Sequence, residues 1–334
     1  MTTQPSFQEA ADYNQKKRFL QIILNRVAFI YPGQGSQTVG MGRDLFDAFP
    51  EARERYDEAE KLLGFPLQEY SFEGPEETLK ETYVTQPALF VHSVVLTELL
   101  KKRNIIPSIA AGHSLGEYSA LAAAEGADFR SMLELVKVRG RLMQHAGEKS
   151  PGTMAALIGA DFDTVQSMCK EAERAGVVVP ANFNAPGQIV ISGSVEGVHE
   201  VMECARDHGV KRAVELNVGG AFHSPLMKDA IEGLIKKIGA TEWNPLTVPV
   251  VSNVTAAAEI DPDAVKVNLK KQLLNPVLWS NSVEFMADSG IAAFIEVGAG
   301  TVLKGLVKRI RKTIPCYSVS TVEDLESIED SLLR

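Results

Sequence analysis

Ile109-Ala-Ala-Gly-His-Ser-Leu-Gly-Glu-Tyr-Ser-Ala-Leu-Ala-Ala-Ala124 contains a G-x-S-x-G pentapeptide between two different secondary-structure patterns. An apolar run predicts a strand that leads into Gly112, and a helix-forming stretch begins at Glu117. Strand, sharp turn and helix form the setting of a nucleophile elbow, in which a strained turn exposes the serine hydroxyl beside a helix N-terminus. The pattern therefore predicts that Ser114 is a nucleophile; the alternative is a serine in an ordinary tight turn.

The composition of the whole chain limits the classes to which it can belong. The chain has 334 residues, of which 45% are hydrophobic, enough for one large domain or for a large and a small one. A net charge of −9 argues against bulk nucleic-acid binding. The three cysteines show neither C-x-x-C pairing nor zinc spacing, which predicts a reducing, cytoplasmic compartment and no metal site. No apolar run reaches the roughly 18 residues of a membrane span.

The order of predicted elements divides the chain into a body and an insertion. Strands separated by helices predict an α/β fold, with a mostly parallel sheet that is covered on both faces. Within residues 151–218 the order becomes βαββαβ, which is the ferredoxin-like pattern. We therefore expect residues 27–150 and 219–334 to form the large domain and residues 151–218 to form a small inserted domain.

Further elements are predicted outside the elbow. Residues 1–26 are expected to be an N-terminal extension with a helix ahead of the first strand, and no signal peptide is expected. Residues 27–31 predict a buried first strand, which the glycine-rich loop Pro32–Gln37 follows at once. Gln86–Leu100 is predicted to be an apolar helix that begins with Pro87, because proline is tolerated in a first turn.

A serine hydroxyl becomes a good nucleophile only when a base removes its proton. The best candidate base is His223, in a loop between a predicted strand and a predicted helix; the alternative is a loop histidine with a local hydrogen bond. No acidic residue occupies an obvious strand-end loop between Ser114 and His223. This favours a Ser–His dyad, in which something other than a carboxylate orients the imidazole. His113 is expected to shape the site.

Acyl transfer also needs backbone N–H groups aimed at the developing oxyanion. The amide of Leu115, on the elbow, is one natural donor. The loop around Gln34 could supply the other because its flanking glycines allow close approach, unless the loop is a plain turn. Arg139 lies in a predicted apolar helix, where it is either a snorkelling surface residue or a placed cation, and its spacing does not decide between the two.

Together these segments resemble the malonyl-CoA:acyl-carrier-protein transacylases of bacterial-type fatty acid synthesis. The resemblance implies a hydrolase-like α/β core with a ferredoxin-like small domain, and a cleft between them. It extends from about residue 27 to about residue 312, through the segments Tyr31-Pro-Gly-Gln-Gly-Ser-Gln37, Gln86-Pro-Ala-Leu89, Gly112-His-Ser-Leu-Gly-Glu117, Val138-Arg-Gly-Arg-Leu-Met-Gln144, Asn182-Phe-Asn-Ala-Pro-Gly-Gln-Ile-Val-Ile-Ser-Gly193, Gly220-Ala-Phe-His-Ser224, Gln272-Leu-Leu-Asn-Pro-Val277 and Glu296-Val-Gly-Ala-Gly300.

The resemblance implies a catalytic role for each matching residue. Ser114 would carry the acyl group, and His223 would act as general base and acid. The amides of Gln34 and Leu115 would form the oxyanion hole. The backbone carbonyl of Gln272 would orient the histidine, which agrees with the missing third acid.

The resemblance also implies what the site binds. Arg139 would pair with the malonyl carboxylate, because a planar guanidinium binds a carboxylate bidentately. Phe222 would favour malonyl over branched malonyl groups. Malonyl-CoA would be the donor and acyl carrier protein the acceptor, with no cofactor. Because the carrier is expected to be acidic, docking would need a local positive patch, unless the following residues form an ordinary solvated face: Lys304, Lys308, Arg309, Arg311 and Lys312.

Three other functions stay open from the sequence. A thioesterase or serine hydrolase could share the elbow, but it would not need a buried arginine for a carboxylate. A trans-acting acyltransferase for a polyketide synthase would use the same chemistry and differ only in its carrier. A non-catalytic interaction protein is disfavoured by the presence of both Ser114 and His223.

Overall fold

The computed structural model describes residues 26–333, so the prediction of a helix in the N-terminal extension lies outside the described residues. Two sheets organise the rest. The six-stranded sheet has the spatial order β10-β9-β1-β2-β7-β8, and the four-stranded sheet has the order β4-β5-β3-β6. The strands are β1 Val27–Tyr31, β2 Ile109–Gly112, β3 Thr153–Ile158, β4 Val178–Ala185, β5 Gln188–Gly193, β6 Arg212–Glu215, β7 Val250–Val251, β8 Ala258–Glu259, β9 Ala293–Val297 and β10 Cys316–Val319.

Helices connect these strands and cover the sheets. In chain order they are α1 Arg43–Ala48, α2 Pro50–Leu63, α3 Leu67–Phe72, α4 Glu76–Lys80, α5 Thr82–Lys102, α6 Gly116–Ala123, α7 Phe129–Lys149, α8 Phe162–Ala172, α9 Val195–Cys204, α10 Lys228–Ala240, α11 Pro262–Gln272, α12 Trp279–Asp288, α13 Val302–Ile310 and α14 Val322–Leu332. A 3₁₀ turn, Pro225–Met227, precedes α10. No helix within residues 26–333 is long and apolar enough to cross a membrane.

The larger sheet is parallel except for its last pair, β7 and β8. Strand β1 lies between β9 and β2, and all five of its residues are buried, as expected for a central strand covered by helices on both faces. Strand β10 extends the sheet beyond β9, after the region in which the sequence resemblance is expected to end.

The smaller sheet is antiparallel throughout and combines its strands with α8 and α9 in the order βαββαβ. The mixed α/β fold class, with a mostly parallel sheet and a ferredoxin-like unit, is confirmed. All four strands of this unit lie within residues 151–218. The division into two domains at those boundaries stays a prediction.

The start of α5 differs from its prediction. The helix begins at Thr82, so Pro87 lies inside it and the prediction that Pro87 opens the helix is wrong. The amide of Thr82 donates a hydrogen bond to the side-chain oxygen of Gln144 at 3.0 Å, so a residue on α7 satisfies part of the helix N-terminus. Almost the whole helix is buried, and this packing outweighs the local cost of the proline.

Close backbone packing brings the loop after β1 against the elbow. Tyr31 and Gly112 are partners in the parallel ladder, so the two strands end side by side. A Cβ atom on Gly116 would lie 2.0 Å from the carbonyl oxygen of Tyr31, and one on Gly33 would lie 2.4 Å from that of His113. Only glycine allows these approaches, and they place residues 33–35 beside Ser114.

Candidate active site

Ser114 occupies the sharp turn between β2 and α6. Its φ of 51° lies in the left-handed region, which is strained for a residue with a side chain. Two side chains from elsewhere in the chain hold this backbone. The Ser114 amide donates to Oδ1 of Asn253 at 2.8 Å, and Nε2 of Gln272 donates to the Ser114 carbonyl at 2.9 Å. The serine is half-buried, and it lines the cleft described below.

His223 contacts the hydroxyl of Ser114. Its Nε2 lies 2.8 Å from Ser114 Oγ, and its Nδ1 lies 2.9 Å from the carbonyl oxygen of Gln272 and 3.2 Å from that of Asn275. Carbonyl oxygens only accept, so Nδ1 carries the proton and Nε2 is left to accept the hydroxyl proton. Burial, followed by the charge of Arg139, lowers the pKa of His223 to about 3, so the ring is neutral at physiological pH.

This low pKa predicts an unusual pH dependence. When pH falls from 8 through the ordinary histidine range, His223 stays in its basic form, so acylation of Ser114 should continue. We expect kcat/KM for p-nitrophenyl acetate to change by less than about threefold between pH 8 and pH 5, and to fall only near pH 4 or below. The Ser114→Ala variant gives the background rate. An acid limb near pH 6.5 would contradict the proposed protonation state.

Arg139 is wholly buried in α7 and points at the same hydroxyl. Its Nη2 donates to Ser114 Oγ at 3.0 Å and to Oε1 of Gln272 at 3.1 Å, and its Nη1 donates to Oε1 of Gln86 at 2.8 Å. The ring of Tyr118 lies 5.1 Å from the guanidinium carbon. Within residues 26–333 no carboxylate forms an ion pair with Arg139. The arginine is therefore a buried cation beside the nucleophile rather than a snorkelling surface residue, and an anionic ligand would complete its partners.

The two amides expected to form the oxyanion hole line the same cleft. Leu115 is the N-cap of α6, so its N–H lies at the positive end of a helix. Gln34 lies in the loop that packs against the elbow, and its side chain donates to Oγ1 of Thr82 at 3.2 Å. Among the described residues neither backbone amide has a hydrogen-bond acceptor. Both are therefore open to a ligand oxygen.

The cleft has a volume of about 490 Å³ and lies between the two sheets. The larger sheet's side contributes Gln34, Ser114 and Arg139, whereas Met154 and Val190 come from the smaller sheet. Phe222 is 6% exposed and also lines the cleft, so it limits the space for an acyl group. Within the part of the chain that the structure describes, no cluster of three metal-ligating side chains occurs.

His113 joins the elbow to the smaller sheet. Its Nε2 lies 2.8 Å from Oδ1 of Asn184, on β4, and its ring packs edge-on to Trp279 with 5.7 Å between centroids. Burial lowers the pKa of His113, which keeps it neutral. Ser114 Oγ is bound instead by His223 and Arg139. A role in shaping the cleft stays the prediction for this residue.

The basic residues after the Gly298–Gly300 turn do not all behave alike. Arg311 forms ion pairs with Glu284 and Asp288, so its charge is largely neutralised. The other four are exposed on or just after α13, whose Leu303 and Leu306 line the cleft: Lys304, Lys308, Arg309 and Lys312. These four exposed residues, on or just after a helix that contributes to the cleft lining, are called the basic patch.

Several site residues were not predicted from the sequence. Asn253, which fixes the Ser114 amide, lies in no segment of the resemblance. The side chains of Gln86 and Gln272 hold Arg139, although only the backbone of Gln272 was assigned a role. Both glutamines lie in segments that resemble the transacylase family, and this was the only sequence signal that could have pointed to a role for their side chains.

The chain is similar to proteins of known function over most of its length. The model of the acyl transferase domain family matches residues 28–328. A malonyl CoA-acyl carrier protein transacylase of Staphylococcus aureus (strain MW2) is 43% identical over 91% of this chain and 98% of its own. The transacylase of Bacillus subtilis (strain 168) is 41% identical over 91% of this chain and 96% of its own.

Solved structures agree with these relatives. An acyl carrier protein S-malonyltransferase from Vibrio cholerae is 40% identical, with a TM-score of 0.87 over 91% of this chain and 99% of that one. A malonyl-transacylase solved in complex with a type II polyketide acyl-carrier protein is 39% identical, with a TM-score of 0.89 over 92% of this chain and 99% of that one. With its elbow serine, paired histidine and buried arginine in one cleft, this chain belongs to the acyl transferase domain family.

Proposed function

We propose that this chain transfers a malonyl group from coenzyme A to the phosphopantetheine thiol of an acyl carrier protein, and so supplies fatty acid synthesis. One observation carries the proposal: Ser114 Oγ lies 2.8 Å from a neutral histidine nitrogen and 3.0 Å from a buried guanidinium. The histidine can activate the nucleophile, and the guanidinium can bind a free carboxylate on the acyl group. The named activity of the relatives supports this combination.

The first half-reaction would form a malonyl-serine. His223 Nε2 takes the proton from Ser114 Oγ as the oxygen attacks the thioester carbonyl carbon. The amides of Gln34 and Leu115 hold the resulting oxyanion, each such donor lowering the barrier by about 3–4 kcal/mol. The carbon–sulfur bond then breaks, and the coenzyme A sulfur leaves with the proton from His223.

The second half-reaction would run the same steps in reverse with a new thiol. The phosphopantetheine thiol gives its proton to His223 and attacks the ester carbonyl carbon. Ser114 Oγ leaves and recovers the proton. Between the two halves Arg139 holds the malonyl carboxylate, and the carbonyls of Gln272 and Asn275 keep the imidazole oriented. This is a ping-pong mechanism in which water must be slower than the carrier thiol.

Intact-protein mass spectrometry tests the proposal. After incubation with malonyl-CoA, the wild-type protein should gain one malonyl group, and Ser114→Ala should gain none. Addition of phosphopantetheinylated acyl carrier protein should discharge the adduct and malonylate the carrier. Absence of an adduct would refute the proposal. An adduct that water discharges as fast as the carrier would instead indicate a hydrolase.

The basic patch of Lys304, Lys308, Arg309 and Lys312 is proposed to dock the acidic carrier. We expect the double variant Lys304→Glu/Lys308→Glu to slow malonyl transfer to the carrier by about 10-fold or more, because like charges now meet during encounter. Malonylation of Ser114 by malonyl-CoA should change little, and added salt should shrink the difference. The assay follows both half-reactions separately by rapid quench.

A matched control for the docking test is Lys170→Glu/Lys236→Glu, which replaces two exposed lysines on α8 and α10, helices that contribute no residue to the cleft lining. This pair changes the net charge equally, so it should leave carrier transfer close to that of the wild type. Equal slowing by both pairs, or none by either, would contradict a local docking patch. Running the assay with fatty-acid and polyketide carriers compares the two acceptors that the sequence leaves open.

A further inference from the structure

A buried carboxyl group lies beneath the elbow and takes no part in the mechanism above. Glu117, in the first turn of α6, is 3% exposed. Its Oε2 accepts a hydrogen bond from Nε2 of Gln272 at 2.7 Å and another from the backbone amide of Asn253 at 3.3 Å. A carboxyl group is costly to bury, so its position here suggests a specific use.

The side-chain amide of Gln272 connects this carboxyl group to Arg139. Its Nε2 donates to Glu117, and it also donates to the Ser114 carbonyl at 2.9 Å. Its Oε1 accepts from Arg139 Nη2 at 3.1 Å. An amide donates on one side and accepts on the other. If the Gln272 amide were rotated by half a turn, its NH₂ group would face an N–H of the Arg139 guanidinium. The Glu117 oxygen would then lose the hydrogen bond that it accepts from Gln272.

The direction of this amide matters because Arg139 Nη2 reaches both Gln272 and the nucleophile. The same nitrogen donates to Gln272 Oε1 and to Ser114 Oγ, so the amide is one of the groups that place the guanidinium beside the acyl site. Small displacements of a positioned group can cost about 100-fold in rate. Holding the amide is therefore a way of holding the arginine.

Glu117 can hold the Gln272 amide as a hydrogen-bond acceptor without carrying a full negative charge. Burial raises its pKa to about 7, against the opposing hydrogen bonds of Gln272 and Asn253 and the charge of Arg139. A protonated carboxyl group keeps its carbonyl oxygen as an acceptor for Gln272 Nε2. The hydrogen bond to Gln272 can persist in either protonation state.

We propose that Glu117 is a positioning residue that fixes the side-chain amide of Gln272 and thereby presents Arg139 to the carboxylate of the acyl group. This inference rests on the proposed function, because the carboxylate it concerns is that of malonyl-CoA. It assigns Glu117 to selectivity for a carboxylate-bearing acyl group rather than to activation of Ser114.

Two substitutions at the same position test the proposal. Glu117→Leu removes the acceptor at similar size, and we expect it to lower kcat/KM for malonyl-CoA by about 10- to 50-fold. Glu117→Gln keeps an acceptor oxygen, and it should stay within about threefold of the wild type. Acylation of Ser114 by p-nitrophenyl acetate, which has no carboxylate, should fall at least about fivefold less than the malonyl-CoA reaction in Glu117→Leu. A small loss is expected there because Gln272 and Asn253, which both bind Glu117, also hold the Ser114 backbone.

Each other outcome overturns the inference. Equal loss with malonyl-CoA and p-nitrophenyl acetate would show a structural role, and no loss with malonyl-CoA would show no role. A loss in Glu117→Gln as large as in Glu117→Leu would show that acceptor geometry is not what Glu117 supplies. If Glu117→Leu does not fold by circular dichroism, Glu117→Asp, which shortens the reach to Gln272, must show the selective loss instead. Failure of the wild type to form a malonyl adduct would refute the proposed function itself.

Discussion

Ser114→Ala and His223→Ala are each expected to lower malonyl transfer by about 10⁴- to 10⁶-fold, and the double variant should be no slower than either single variant. Ser114 Oγ and His223 Nε2 lie 2.8 Å apart and share one proton, so neither side chain retains its function without the other. The pair should therefore behave as one unit. The rate that remains would come from the oxyanion hole and from substrate binding.

Rapid-quench measurement of malonyl transfer in the four proteins tests this non-additivity. His199→Ala provides a matched control, because His199 is exposed on α9 and contacts Glu215 rather than the cleft. That variant should transfer malonyl groups at the wild-type rate. Losses that multiply in the double variant would indicate that Ser114 and His223 act independently. Thermal unfolding of each variant shows whether a loss reflects chemistry or folding.

The elbow could be predicted from sequence because its constraints are local. A Cβ atom on Gly112 would lie 1.9 Å from the backbone of Gly116, and one on Gly116 would lie 2.0 Å from the carbonyl oxygen of Tyr31, so both positions demand glycine. The serine between them must accept a φ of 51°. A five-residue pattern therefore carries most of the geometry. The strands of the smaller sheet were predictable for a similar reason, since each element is short and is bounded by turns.

Features that depend on distant partners left no such local pattern. At the start of α5 the Thr82 amide is satisfied by Gln144, which lies on another helix. Arg311 was expected to be an exposed cation, but Glu284 and Asp288 from α12 neutralise it. The sequence shows the charge of each residue, whereas only the fold shows which charges meet.

The orientation of the base shows a deeper limit of sequence reasoning. The absence of a suitable acid between Ser114 and His223 indicated a dyad, but backbone carbonyls carry no residue-type signal. Gln272 came to attention only through the resemblance, and the second carbonyl, from Asn275, was not predicted. Likewise, Glu117 is visible in the sequence directly after the elbow pentapeptide, but its hydrogen bond with Gln272 is seen only in the folded protein.

Arg139→Met should change which acyl group the protein accepts. Removing one member of a buried, hydrogen-bonded charge pair costs about 2–5 kcal/mol, so kcat/KM for malonyl-CoA should fall about 30- to 5,000-fold. Acetyl-CoA brings no carboxylate and has no ion pair with Arg139 to lose, so its kcat/KM should fall at least about 10-fold less than that for malonyl-CoA. Methionine retains an aliphatic side chain in the wholly buried position. Competition between the two thioesters, read by mass spectrometry of the acyl-serine, measures the change in preference.

Arg139→Lys separates charge from geometry in the same experiment. Lysine keeps a cation near His223 but lacks the planar fork, so malonyl preference should still weaken. The charge of Arg139 contributes to the low pKa of His223, so Arg139→Met should move the acid limb of p-nitrophenyl acetate acylation to higher pH. Arg139→Lys should move that limb less. If malonyl and acetyl transfer fall together in both variants, Arg139 supports the nucleophile alone and selectivity for malonyl groups lies elsewhere in the cleft.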